Sequence, residues 1–216
     1  QILEDEIIGE EAKKLFIDAK EMLNKIVQEK WLTAKACVQI FKANSENETV
    51  TVFDSNSDKP LANLNFVRQQ HEKSGDKPNF SLADYIAPKS ENMTDYIGAF
   101  VVSAGFGTAE RAKEFEAEHD DYQSIMIKAL ADRLAEAFAE RMHEKTRKEF
   151  WGYDHTEFSN EDLIGENYQG IRPAPGYPAC PDHSEKIALF NLLDAENCTG
   201  VKLTESFAMY PAASVS

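Results

Sequence analysis

Residues 166–183, Glu-Asn-Tyr-Gln-Gly-Ile-Arg-Pro-Ala-Pro-Gly-Tyr-Pro-Ala-Cys-Pro-Asp-His, restrict the fold more than any other stretch of the chain. Each of four prolines (Pro173, Pro175, Pro178, Pro181) fixes φ at about −65° and withholds a backbone donor, so neither a helix nor a central strand can run through them. Gly170 and Gly176 supply the freedom for sharp reversals. The expected product is a stiff extended ribbon that holds Arg172 and Tyr177 in place at little entropic cost on binding. Such a ribbon suits a ligand clamp.

The rest of the chain reads as alternating helical and strand patterns. Apolar residues at Ala12, Leu15, Phe16, Ala19, Met22, Leu23 and Ile26 predict an amphipathic helix over 9–28. Cys37–Phe41 and Val50–Phe53 read as strands of a hairpin with Lys42–Thr49 as its loop, and 54–60 as a further exposed turn. Leu61–Phe66 reads as a strand, Val67–Lys73 as a short helical stretch, Ser74–Pro78 as a loop and Ser81–Ile86 as a helical turn. Tyr96–Ala104 is a nearly continuous apolar run, expected as a central strand covered on both faces. Helices are predicted at 108–117 and 121–150. Asp182-x-x-Glu185 resembles a capping box for a helix ending at Gly200, and Val201–Met209 reads as a last strand. Hairpins followed by clustered helices predict an α+β fold, a mostly antiparallel twisted sheet with flanking helices.

A chain of 216 residues can bury a sizeable core without staples. Its 38 acids against 23 bases leave a net charge of −15, which argues against a nucleic-acid partner. No apolar run is long enough for a membrane span, so no membrane association is expected. Cys37, Cys180 and Cys198 are odd in number and scattered, which speaks against a disulfide framework and for the cytoplasm. Cys180-Pro-Asp-His183 lacks a second Cys/His pair, so no metal is expected. A Gly-x-Ser-x-Gly elbow, a phosphate loop and Gly-x-Gly-x-x-Gly are all missing from the sequence.

Several side chains are candidates for binding. The planar guanidinium of Arg172 can take a carboxylate through two bonds, or else tie down its own loop. Tyr177 can pack a ligand or pin the ribbon to the sheet. Gly176 permits close backbone approach, and Ala174 and Pro175 offer carbonyls. Glu166 can bond a diol or an amine, or pair with Arg172. Asp132 and Glu136 share one helix face, opposite the arc of Ile127, Leu130, Ala131, Leu134, Phe138 and Met142. Glu140 and His143 are expected to extend the same acidic stripe, which is equally readable as a solvated face. Arg141, Lys145, Arg147 and Lys148 suit a helix C-terminus, or a basic landing surface for an acidic electron-transfer protein.

Arg172-Pro-Ala-Pro-Gly-Tyr177 matches the Arg-x-x-x-Gly-Tyr signature of the activation domain of cobalamin-dependent methionine synthase. Ala129–Glu140 resembles that family's long helix, Asp95–Phe100 an earlier strand and Leu203–Met209 a late one, and the resemblance runs almost throughout Gln1–Ser216. It implies one S-adenosylmethionine-binding domain over 1–216, a fragment of a larger enzyme truncated at both ends. It also implies ligand contacts from Arg172 (to the methionyl part), Tyr177, Gly176, Ala174 and Glu166. Asp132 and Glu136 would face the region where S-adenosylmethionine meets cobalamin, His183 would help docking, and no residue would be catalytic. By the same resemblance the full enzyme moves a methyl group from 5-methyltetrahydrofolate to homocysteine through cobalamin, producing methionine. The activation domain restores oxidised cobalamin, using an electron from flavodoxin or a related reduced flavoprotein. Cobalamin belongs to another domain and zinc to the homocysteine domain, so the fragment is expected to bind but not turn over. The competing expectations are a docking module with no ligand of its own and a free-standing methyltransferase, for which no general base is evident.

Overall fold

The computed structural model describes residues 4–5, 9–73, 75 and 77–216, so two residues of the expected Ser74–Pro78 loop lie outside the described residues. Helix α1 spans Gly9–Glu29, but only Met22 and Ile26 of its apolar stripe are buried, and Leu15 and Phe16 remain exposed. Strands β1 (Thr33–Glu46) and β2 (Thr49–Phe53) form the expected hairpin with a tighter turn, Asn47-Glu48, in which Asn47 takes φ 56°. The polar run before the turn hides a strand pattern: Phe41, Ala43 and Ser45 are buried in alternation, so Lys42–Glu46 pairs with β2 rather than looping out. Strand β3 is Pro60–Asn65. The stretch 67–73 is not helical; Arg68 holds it through bonds to Glu48, the Asp84 carboxylate and the Asn79 carbonyl.

A short 3-10 turn at Leu82–Tyr85, capped by Ser81, leads through a second, Lys89–Glu91, into β4 (Asp95–Phe106). Helices α2 (Thr108–Ala117) and α3 (Asp121–Lys145) follow, and α3 ends in a π-helical turn, Thr146–Phe150. After the short α4 (Asn160–Ile164) and the ribbon come α5 (Glu185–Leu193) and α6 (Ala195–Thr199). The single helix expected up to Gly200 is broken at Asp194, which adopts the left-handed conformation. Its start differs as well: the Asp182 carboxylate accepts from the Ser184 amide at 2.8 Å, an Asx turn instead of a capping box. The expected strand over 201–209 is a hairpin, β5 (Lys202–Leu203) against β6 (Met209–Tyr210), reversed at Phe207 with φ 62°. A short β7 (Ser214–Val215) ends the chain.

The main sheet is antiparallel, in the order β3-β2-β1-β4-β7. One face packs Phe41, Val50, Val52, Leu64 and Val101 against Phe190 and Leu193 of α5. Elsewhere Ala104 and Ala213 meet Ala131 and Ala135 of α3, and Met22 and Ile26 of α1 pack with Met126 and Ile127. The buried stripe of α3 runs Ile127, Ala131, Ala135, Ala139, His143, so its inner face is small, and His143 and Ala139 lie inside rather than beside an outward acidic stripe. Leu130, Leu134, Phe138 and Met142 are only partly covered. The i, i+4 repeat exceeds a full turn of about 3.6 residues, so the buried stripe winds around α3 as it advances. No described helix is long and apolar enough to cross a membrane.

Strand β4 is covered on both faces over Val101–Gly105, but Tyr96 and Gly98 are exposed. The expected double cover thus holds for only part of its length, and the strand is not central along all of it. β1 pairs with it from Asp95 to Phe106, whereas β7 reaches only Val102 and Ser103, leaving the edge of Asp95–Val101 without a partner strand. Filling the alanine contact should be costly: Ala135→Leu is expected to lose about 2 kcal/mol in urea unfolding through overpacking. Ala137→Leu on the exposed face should stay within about 0.5 kcal/mol of the parent.

Candidate ligand-binding site

The unpartnered edge of β4 forms one wall of a cavity of about 580 Å³. Ribbon residues Gln169–Pro173 form another wall, completed by His143 and Thr146 from the end of α3 and by Trp151 and Tyr153. The volume lies within the range of about 300–1,000 Å³ typical of small-molecule sites. The aromatic side is braced internally: Trp151 meets Tyr153 edge-on at 5.5 Å and Tyr96 at 6.1 Å. The Tyr153 hydroxyl donates to the Gln169 carbonyl at 3.2 Å. Gly170 is required beside it, because it takes φ 103° and a Cβ there would lie 2.7 Å from the Tyr153 hydroxyl.

Beside this cavity lies a buried ionic cluster. Arg147, 0 % exposed, is the largest fully buried side chain among the described residues. Its Nη1 donates to His143 Nδ1 at 2.8 Å, which places the imidazole proton on Nε2. Glu140 is shared between two arginines, with Oε2 3.4 Å from Arg172 Nη2 and Oε1 3.8 Å from Arg147 Nη1. One carboxylate thus serves two guanidiniums, and Arg147 Nε and Nη2 and Arg172 Nε are buried without hydrogen-bond partners. Aromatic faces supply part of the missing counter-charge: the Arg147 guanidinium lies 4.2 Å from the Tyr168 ring centroid and 5.8 Å from that of Phe158. His143 meets Tyr168 edge-on at 4.9 Å. Burial, then the charges of Arg147 and Arg172, push the His143 pKa down to about 4, so its ring is neutral at pH 7.

Of the expected ligand contacts, Arg172 alone lines this cavity, with its side chain 20 % exposed and paired with Glu140 instead of Glu166. Glu166 lies outside it, exposed in a turn with φ 53°. Tyr177 is 62 % exposed on the ribbon beyond the cavity. The Ala174 carbonyl already accepts from the Tyr177 amide at 2.9 Å and the Cys180 thiol at 3.0 Å. Gly176, at φ 111°, packs on His183, where a Cβ would come within 2.3 Å of the ring. His183 is in turn bonded at Nδ1 by the buried Lys186, which also donates to the Phe207 carbonyl and so ties ribbon, α5 and the β5–β6 hairpin together. Asp132 and Glu136 are exposed on α3, about two turns and one turn before the Glu140 that meets Arg172.

Of the two readings of Arg141, Lys145, Arg147 and Lys148, the contacts favour helix-end cations over a landing surface. Arg147 is buried, Arg141 pairs with Glu144, Lys145 with Glu149, and Lys148 with Glu144 and Glu157, so acids on and beside the same helix end neutralise the patch. Sequence reasoning missed Glu140 as the Arg172 partner and both Arg147 and Tyr168 as anchors. Read locally, Glu140 and Arg147 look like ordinary surface charges, because the contacts of Glu140 with Arg172 and of Arg147 with Tyr168 are made between distant parts of the sequence. Among the described residues no three metal-ligating groups come together.

Because His143 is held neutral in the folded state, its contribution to stability is present above pH 6.5 and lost as pH falls towards 4. Urea unfolding should show the parent losing about 3 kcal/mol more between pH 7 and pH 4 than His143→Gln, whose amide oxygen can still accept from Arg147. Equal losses in the two proteins would contradict this origin of the acid sensitivity.

The family model described as vitamin B12 dependent methionine synthase, activation domain, matches residues 1–216. A solved structure described as a crystal structure of the MetH reactivation domain bound to AdoHcy superposes with a TM-score of 0.93 at 53% sequence identity, covering 99% of this chain. The chain spans 66% of that structure's own length. The chain belongs to the family of activation domains of vitamin B12-dependent methionine synthases.

Proposed function

We propose that this chain binds S-adenosylmethionine at the cavity between β4 and the proline ribbon, as one ligand-binding unit over residues 1–216 of a larger cytoplasmic enzyme. The observation that carries the reading is Arg172: it lines the cavity, shares its carboxylate partner Glu140 with Arg147, and its buried Nε lacks a partner. An amino-acid carboxylate supplies the missing anion, and a charge-assisted bond to guanidinium is among the stronger polar contacts available. AdoHcy, named for the similar structure, is the demethylated form of the same ligand and carries the same carboxylate. The aromatic wall of Trp151, Tyr153 and Tyr96 suits a planar base.

The chain's own residues bind and orient. Arg172 holds the methionyl end. Tyr177, Gly176, Ala174 and Glu166 flank the part of the ligand that projects beyond the cavity, with Ala174 limited by the two donors its carbonyl already serves. Asp132 and Glu136 lie in register with Glu140 along α3, placing negative charge on the face that leads to the Arg172 contact, where it favours a sulfonium. When bound, S-adenosylmethionine supplies an activated methyl group. Its recipient in the full enzyme is the cobalamin of a neighbouring domain, reactivated with an electron from flavodoxin or a related flavoprotein. Orientation is this domain's contribution to that reductive remethylation. The methyl transfer from 5-methyltetrahydrofolate to homocysteine belongs to the other domains, and the isolated chain binds without turnover.

Calorimetric titration with S-adenosylmethionine tests the reading. The parent should bind, and Arg172→Ala should bind at least about 10-fold more weakly. S-adenosylhomocysteine should follow the same pattern, and 5′-methylthioadenosine, which lacks the carboxylate, should be insensitive to the substitution. Absence of binding to the parent would favour the alternative, a docking module for the cobalamin domain or the flavoprotein with no ligand of its own.

A further inference from the structure

Cys37 and Cys198 stand far apart in the sequence, one on β1 and the other on α6, yet the fold brings their thiols together. The Cys37 Sγ donates to the Leu193 carbonyl at 3.3 Å and the Cys198 Sγ to the same oxygen at 3.7 Å. Both thiols therefore converge on one carbonyl oxygen. Cys198 is exposed to solvent and Cys37 is partly covered. The third cysteine is set apart: Cys180 is buried under the ribbon with its thiol committed to the Ala174 carbonyl.

We propose that Cys37 and Cys198 form a dithiol site for reversible oxidation by low-molecular-weight disulfides of the glutathione class. The accessible Cys198 thiolate attacks one sulfur of the small disulfide, breaking its S–S bond, forming a mixed disulfide and releasing one small thiol. Cys37 loses its proton and attacks the Cys198 sulfur, which forms the Cys37–Cys198 bond and releases the second small thiol. Two protein thiols are oxidised, one small disulfide is reduced to two thiols, and the two protons leave with them.

The division of roles follows from the surroundings. Cys198 is exposed and meets the small disulfide first. Burial, then the neighbouring Cys198 and the charge of Asp194, push the partly covered Cys37 thiol up to about 11 and suit it to the second, intramolecular step. Cytoplasmic disulfides of this type are transient and redox-responsive rather than structural. Once closed, the bond ties α6 to β1 at the point where Asp194 breaks the α5–α6 helix. It thereby clamps the helix pair that covers the core face of the sheet.

The test exposes the 216-residue chain to oxidised glutathione, followed by peptide mapping without reduction and by thermal melting. The expected product is one intramolecular Cys37–Cys198 disulfide per chain, with Cys180 unmodified. The melting temperature should rise by roughly 5–10 °C and return to the starting value on reduction. Cys37→Ser should stop at a glutathione adduct on Cys198 with no rise. Cys198→Ser, at an exposed position where folding is not at stake, should leave Cys37 unmodified. The proposal is overturned by a glutathione adduct that persists on Cys198 of the parent, by a bond that involves Cys180 or a second chain, or by no reaction at all.

Discussion

Glu140 lies within ion-pair reach of Arg172 on the ribbon and of Arg147 beneath it, and the candidate site depends on that shared carboxylate. It is what connects a proline-rich segment with no regular hydrogen-bonded structure to the end of the longest helix. Both partners of the Arg172 pair keep some solvent contact, so breaking it costs less than the roughly 3–5 kcal/mol of a fully buried pair. The cluster is also unbalanced, with two guanidiniums to one carboxylate. Tyr168 and Phe158 offer ring faces to Arg147, but Arg172 has no such compensation on the cavity side. The imbalance makes the cavity receptive to an anionic group at one defined point.

The ribbon and the sheet contribute different properties. The prolines keep Arg172 from wandering, so little side-chain and backbone freedom remains to be lost on binding. The short β7 leaves the Asp95–Val101 edge unpaired, and that vacancy in the sheet provides the cavity wall. His143, neutral and tucked against Tyr168, lets Arg147 stay charged without adding a third cation. Lys186 braces the far end of the ribbon through His183 and the Phe207 carbonyl. Rigid supports at both ends are what a positioning domain needs.

Much of this was legible locally. Proline and glycine spacing predicts an irregular segment, although 174–180 turns back on itself through the Tyr177–Ala174 and Cys180–Tyr177 backbone bonds instead of running extended. Apolar periodicity predicts α1 and α3, and Arg172 follows from its place in the ribbon. What sequence could not reveal depends on contacts made at a distance. Arg147 looks like one more cation at a helix end, and only the packed structure shows Tyr168 stacked on it. Glu140 reads as the end of an acidic stripe, whereas the winding of the buried face around α3 turns it towards the ribbon. The hairpin over 202–210 is disguised by a strand-like composition, since its reversal uses Phe207 rather than glycine. Cys37 and Cys198 look isolated until β1 and α6 are folded together.

Amide hydrogen exchange with and without S-adenosylhomocysteine addresses the central claim, that ligand binding is organised by the ribbon, the open β4 edge and the Glu140–Arg172 pair. The account predicts slowed exchange confined to residues 96–100 and the ribbon amides around 169–172 and 174–177, with α1 and the β2–β3 edge unchanged. Slowing that appears elsewhere on the sheet, or none at saturating ligand, would contradict it.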